Sequence, residues 1–472
     1  MRDNGTQTQR GVETHRRRVY PLDAHELTEE QIAVVFAMTS RRPEPFYKIA
    51  EQVSQEKAAD FHERWVLGYG HASVAEHAVV HLAVENISRL ACDTLEDNRL
   101  ASYTEKSSRY QVLPRGYYHI PDELEAHPSL KERYINACDG LFEVYHTALE
   151  KTQSYLRTRR EQRPTESDSA YSLRLRREAT DSCRAILPAA TLTNVGVTAN
   201  ARLLEHAISK LLSSELAEER ELGEEVKREG QKITPTLIKY AEENDYLKKT
   251  AQRQLELAEQ VNVAQKPFYG SVRLVHWDEQ AEEKLAATLL YRRSHSSYDQ
   301  LWQQVQTMSK KEREGIIESC IANLGPHDSL VREFELVDYT FEFSLDYGAY
   351  REFKRHRMQS YVPQALTVSH GCRIPDLVVE SGLKAEFEDA IRTAEDAYWH
   401  IYQFSPHVAQ YLVTHAHYRR VLSKMDLREC YHLFKLRTSK QAHESIQAPM
   451  RDALDLVRKI HPKLFEYIQL RD

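Results

Sequence analysis

The sequence predicts an α+β fold, predominantly helical, made of two tandem copies of one domain, each a small antiparallel sheet with long helices. Three observations lead there. Long segments rich in Glu, Lys, Leu, Ala and Arg space their apolar residues three and four apart, as in LLEHAISKLLSSELAEERELGEEVKREGQKI, 203–233. Only short pieces, SVRLVHW at 271–277 and ELVDYTFEF at 335–343, carry the branched and aromatic residues of strands. Residues 68–103 also resemble residues 325–361: each has a Gly-x-His-like turn, an alternating apolar strand, a helix and then Arg-x-x-Ser-Tyr.

In chain order, residues 1–18 are polar, lack the apolar segment of a signal peptide and read as a disordered tail. The first domain is expected over 19–255 and the second over 265–472. The boundary falls near 250–268, where AQKPF breaks a helical run. Arg99 and Arg357 are equivalent and stand 258 residues apart, whereas TNVGVTANARLLEHAISKLLSS (193–214) matches HAHYRRVLSKMDLRECYHLFKLRTS (415–439) at an offset of 226, Arg202 against Arg428. The first copy therefore carries an insertion, placed in the charged stretch 121–183.

Composition narrows the function classes. With 41% hydrophobic and 29% charged residues, the balance is that of a soluble globular protein. No run approaches the roughly 20 apolar residues that a membrane helix needs, so a cytoplasmic protein without membrane partners is expected. The net charge of −7 argues against a nucleic-acid-coating surface. Six dispersed cysteines form no C-x-x-C pair and read as reduced, mostly buried thiols. His77 and His81 have the spacing of a helical metal pair. Ala78 follows where a metalloprotease has glutamate, and the surroundings read as a strand, so no metal site is expected.

The motifs divide between the copies. The first holds H-x-S-x-x-E-H (His71, Ser73, Glu76, His77), then R-L-A-S-Y-T-E-K-S-S-R-Y (Arg99 to Tyr110), R-A-I-L-P and T-A-N-A-R-L-L. The second holds R-H-R-M-Q-S-Y (Arg355 to Tyr361), D-L-R and L-R-T-S-K-Q-A-H. This ordered series resembles the flavin-dependent thymidylate synthases, marked by R-H-R followed by a serine-rich loop ending in S-x-R-Y. The resemblance covers nearly the whole chain, once per half.

The resemblance implies an α/β domain of a homotetrameric family, so that a homodimer of this double chain would form a pseudo-tetramer. It implies FAD as cofactor, dUMP and methylenetetrahydrofolate as substrates, and NADPH as reductant. Glu105, Ser107, Arg109 and Arg184 would contact dUMP, with Arg355 and Arg437. Ser107, Arg109 and Arg437 would be the catalytic set, Ser107 as a positioning hydroxyl. His77, Asn200 and Arg202 of the first copy, and Arg355, His356, Arg357, Arg428 and His443 of the second, would contact FAD. Where the second copy has Ala365, Thr367 and Gln410, the loop motif is lost; where the first has Asp97-Asn98-Arg99 and Leu211 or Lys210, the R-H-R motif and the later arginine are lost. Each half keeps what the other gave up, which points to composite sites.

The residue types suit the task. A pyrophosphate and a monophosphate need several guanidinium groups, which pair bidentately with phosphate and stay ionised. No G-x-G-x-x-G opens a helix, so side chains rather than a Rossmann-type backbone would hold the phosphates. A related flavoenzyme installing another C5 group on a pyrimidine nucleotide, or an inactive nucleotide- or flavin-binding scaffold, stays open at this point.

Overall fold

The computed structural model describes residues 20–22, 26–261, 268 and 270–471. The expected tail lies outside them, as does part of the expected boundary; the helix Asp245–Val261 runs up to it. Two compact units form, and they cut across the repeats. Among the described residues no helix is long and apolar enough to cross a membrane.

The first unit comprises the described residues up to Val80 with Asn200–Glu205 and Arg228–Tyr240. Its helix Glu29–Thr39 starts at a capping box, in which Thr28 and Gln31 each accept the other's backbone N–H. The helix packs Val34 and Val35 against Ile49, Val53 and Ala58. Buried Glu30 accepts the backbone N–H groups of Thr236 and Leu237 at 2.7 and 3.0 Å, which ties in the later segment. At Gly70 the backbone takes φ 77°, open to glycine without strain, and turns the chain into His71.

The second unit holds two sheets. One has the order β1-β3-β2, from β1 (Val79–Ser88), β2 (Ser102–Glu105) and β3 (Leu192–Asn200). The other has the order β4-β5-β7-β6, from β4 (Val272–Trp277), β5 (Asp338–Asp346), β6 (Ser360–Pro363) and β7 (Tyr418–Asp426). Three strands of the second sheet thus repeat the order of the first. The expected strand 335–343 is shifted: Arg332–Leu336 forms a 3-10 turn, and pairing with β7 begins at Asp338↔Asp426. In β5, Tyr339, Phe341, Phe343 and Leu345 alternate into the core, the period-two signature of a half-buried strand.

Repeat equivalence extends to the caps. Ser88 and Asp346, 258 residues apart, end β1 and β5, and each side chain accepts the N–H of the third residue of the helix it starts. The change of offset coincides with the helices Pro128–Arg159 and Asp168–Cys183, where the second repeat has the shorter Lys384–Tyr402. Helices Pro128–Arg159 and Lys384–Tyr402 run antiparallel, with Arg133 on Asp396 and Lys151 on Glu386. Those exposed pairs contribute little. The buried Leu141, Phe142 and Tyr145 on one side, and Phe387, Ile391 and Tyr398 on the other, supply the adhesion, roughly 1.5–3 kcal/mol per large side chain.

A local twofold relates the repeats within this unit. Pro188 bridges Thr414, its own counterpart 226 residues on. Around that bridge Ala189 N–H donates to Val413 and His415 N–H to Leu187; Ala190 donates to Tyr411 and Ala416 to Ala185. Such reciprocity, i to j and j to i, is the mark of an isologous contact.

Candidate functional site

Strand β2 pairs with β3, Glu105 opposite Val195, and delivers the chain into the Ser107–Arg109 loop. Glu105 accepts from Arg89 at 2.9 Å, from Thr193 at 3.0 Å and from Arg351 of the second repeat. Burial would raise its carboxyl, but Arg351 and Arg89 outweigh burial and hold it at about 2. The Ser107 hydroxyl accepts the Arg109 N–H at 3.3 Å and closes a local turn.

That turn aims Arg109 at two carboxylates. It grips Asp181 bidentately, 3.0 and 2.8 Å, and reaches Glu352 of the second repeat at 3.3 Å. Glu352 also accepts from Arg437 at 3.1 Å, so arginines from unlike repeats share one buried carboxylate. Asp181 is further contacted by Arg184 at 3.2 Å and His443 at 3.4 Å. Burial raises the Asp181 carboxyl, yet Arg184, His443 and Arg109 bring it below its ordinary value. Arg184 is 6% exposed, donates to Ser108 Oγ at 3.3 Å, and leaves Nη2 without a partner.

His356 ends the ladder. Arg437 Nε donates to its Nε2 at 2.9 Å, which puts the imidazole proton on Nδ1, facing Glu429 at 3.0 Å. Burial and then Arg437 push the imidazole down to about 3, so it is neutral. His356 thus turns inward and orients Arg437.

Beside the ladder lies a cavity of about 460 Å³, lined by Glu96, Arg99, Tyr103, Glu105, Lys354, Arg355, Arg357 and Tyr361, with Ser102 and Thr104. Both members of three repeat-equivalent pairs line it: Glu96 and Lys354, Arg99 and Arg357, Tyr103 and Tyr361. Arg357 donates to the carbonyls of Arg99 and Ala101, 3.4 and 2.5 Å. Arg355 is exposed, and neither it nor the Arg99 side chain has a hydrogen bond or ion pair among the described residues. Beneath, Lys354 and Arg419 converge on buried Asp93. Asp97, which stands where the R-H-R motif has its first arginine, pairs with Lys210 at 2.5 Å and accepts from the Tyr361 hydroxyl at 2.9 Å. Leu211 takes the place of Arg437 in the first repeat and is buried.

The first unit has its own cavity of about 340 Å³, walled by Phe36, Phe61, Trp65, His71 and His77, with Arg41 4.6 Å over the Trp65 ring. Its aromatic faces suit a flat ring. The His77 ring lies tilted against Phe36, centroids 4.9 Å apart. Arg202 is paired with Glu76 at 2.5 Å, and Asn200 accepts the Leu203 N–H as a helix cap. In the second unit Arg428 is paired likewise, with Glu335. His81 belongs to β1 and contacts Thr198 at 2.9 Å, so it shares no helical face with His77.

The structure therefore brings Ser107, Arg109, Arg184, Arg437, His356 and His443 into one network, with Glu105, Arg355 and Arg357 at the adjoining cavity. His77, Asn200 and Arg202 belong to the first unit. Sequence reasoning missed Asp181, Glu352, Glu429, Arg89 and Arg351. One signal was available: Arg351 and Glu352 interrupt an otherwise uncharged, fully buried helix, Tyr347–Phe353.

A family profile described as "Thymidylate synthase complementing protein" matches residues 22–236 and 273–463. The chain belongs to that family, which it contains twice. Among similar proteins, a UPF0159 protein of Chlamydia muridarum is 31% identical over 432 residues, 88% of this chain and 82% of that protein. A UPF0159 protein of Thermoplasma acidophilum is 28% identical over 458 residues, covering 89% and 90%. The flavin-dependent thymidylate synthase of Clostridium tetani is 27% identical over 214 residues, 45% of this chain and 82% of that enzyme.

Proposed function

We propose that this chain catalyses the flavin-dependent reductive methylation of dUMP to dTMP, with methylenetetrahydrofolate as one-carbon donor and NADPH as reductant, at a site built from unlike repeats. The observation that carries this reading is the shared carboxylate: Arg109 of the first repeat and Arg437 of the second meet on Glu352. Arginines lost from either repeat are supplied by the other.

The 460 Å³ cavity of the second unit suits a phosphate-bearing cofactor. Arg355, Arg357 and Arg99 would hold its phosphates, since two of these guanidinium groups have no protein partner among the described residues. Bound flavin would supply the one-carbon relay and the reducing equivalents, chemistry that no side chain here provides.

The chain's own residues position and polarise. In the ladder three guanidinium groups face two carboxylates, so a nucleotide monophosphate meets a net cationic seat that its neighbours have already oriented. Arg184 Nη2, buried and unpartnered, is a ready donor. Arg109 and Arg437 would polarise the pyrimidine carbonyls as charge develops there. Ser107, fixed by its turn, would orient the base. Two chains pairing as a homodimer would bring four repeats together.

The test is release of tritium from [5-³H]dUMP with FAD, NADPH and methylenetetrahydrofolate, the product identified by mass. Release with dTMP is the expected result. Release with another product means a different C5 modification, and flavin-loaded protein that releases none is a nucleotide-binding scaffold.

A further inference from the structure

The helix Asp245–Val261 buries none of its side chains. Its sequence is nonetheless two-faced. Leu247, Ala251 and Leu255 recur at spacings of four, and Tyr246, Leu257 and Val261 widen that stripe to about half the circumference. All six charged side chains fall on the other half. Apart from half-buried Leu247, every one of these apolar residues is exposed, Tyr246 by 72% and Val261 by 68%. Helices draw most of their stability from packing such a face. Among the described residues this face is left open.

Charge identifies the occupant. Three acids and three bases give the polar half no net charge, which removes the attraction that holds a surface helix on anionic lipid. They are also ordered. Lys248 and Lys249 stand toward the start and Glu259 in the last turn, each at the end where the helix dipole disfavours it. An order that costs a lone helix is offset by a copy of the helix laid antiparallel, because the basic half then meets the acidic half. Lys248 and Glu259 lie about three turns apart on one flank of the apolar face. A twofold axis between Arg253 and Gln254 therefore sets Lys248 of one copy against Glu259 of the other, and the same axis sets Tyr246 against Val261. Both charges are available for that pairing. Lys248 is held by the exposed Glu243, at 2.8 Å, and Glu259 has no hydrogen bond or ion pair among the described residues. Lys249 and Arg253 already pair within the helix, with Asp245 and Glu256.

We propose that this helix is a docking surface for a second copy of the chain, the two helices pairing antiparallel through their apolar faces, with Lys248 of each copy against Glu259 of the other. Such a contact is isologous and closes as a dimer. Helices about 25 Å long form a small interface, so self-association in the micromolar range is expected. The surface shares no residue with the cavity or the ladder, and its test does not depend on the proposed reaction.

Sedimentation of the full chain between about 1 and about 100 µM reads the association. It is compared with Leu255→Glu/Leu257→Glu, with Lys248→Glu, with Glu259→Lys and with the last two combined. None of these side chains is buried, so the fold is expected to survive each change. The wild type is expected to self-associate, and Leu255→Glu/Leu257→Glu to halve the mass of its assembly. Each single charge reversal turns two symmetry-related attractions into repulsions and is expected to weaken association about tenfold. The combined variant is expected to regain wild-type affinity. So is an equimolar mixture of the two single variants, in which every contact is again between unlike charges. A wild type that stays monomeric at about 100 µM overturns the proposal, and binding of that monomer to anionic vesicles would make lipid the occupant instead. Association unchanged by Leu255→Glu/Leu257→Glu, or a mixture no stronger than its components, overturns it as well.

Discussion

Asp93→Asn removes one charge from the buried contact between repeats while nearly preserving shape. In the wild type the Asp93 carboxylate contacts the Lys354 ammonium and, at 2.9 Å, Arg419; all three side chains are at least 90% buried. Burial would raise the Asp93 carboxyl, but Lys354 and Arg419 bring it to about 2, from 3.8. By linkage that ionisation contributes about 2 kcal/mol, present above the unfolded value and lost as pH falls toward 2. Because the substitution strands two buried cations, that figure is a floor beneath the about 3–5 kcal/mol that breaking a buried pair from one side costs. We therefore expect a total near 4 kcal/mol, seen as a drop of about 1 M in the urea midpoint at pH 7 for an m-value near 4 kcal/mol/M. Glu256→Gln, which breaks the exposed Arg253–Glu256 pair, serves as control and is expected to cost below about 0.5 kcal/mol. An Asp93→Asn midpoint within about 0.2 M of wild type would refute the reasoning, because the charges would then not be dry.

Burial raises the Glu219 carboxyl to about 7, while Thr94 donates to it at 2.6 Å. Its stabilising contribution is complete below the unfolded value of about 4.5 and is lost as pH rises through about 7, so Glu219→Gln should raise the urea midpoint near pH 8 and leave it unchanged near pH 4, a difference of about 3 kcal/mol. Arg437→Ala should weaken dUMP binding about 10- to 100-fold by calorimetry, with Arg109→Ala similar, since each removes a charge-assisted donor. Arg355→Ala should lower flavin retention on gel filtration without moving the urea midpoint, because Arg355 is exposed.

Much of the architecture was legible because it is written in local patterns. The offsets of 258 and 226 survive as helix caps, Ser88 with Asp346 and Asn200 with Asp426. The pairing of Arg109 with Arg437 was legible only through the division of motifs. Their counter-ions were not: Asp181 and Glu352 stand 72 and 243 residues from Arg109, and a buried carboxylate leaves no periodic trace of the cation it will meet. The same holds for His356, a candidate contact in the sequence that the fold turns toward Glu429.

The twofold through Pro188 and Thr414 has a genetic consequence. In a dimer of separate identical chains, any change beside the axis appears on both sides at once. Joined in one polypeptide, the two faces mutate independently. An acidic pair, Asp93 and Glu96, can stand opposite a basic pair, Arg351 and Lys354, because each side is encoded separately. The cavity is therefore unlike on its two sides: repeat-equivalent positions bear opposite charge, and a ligand has a head and a tail to match.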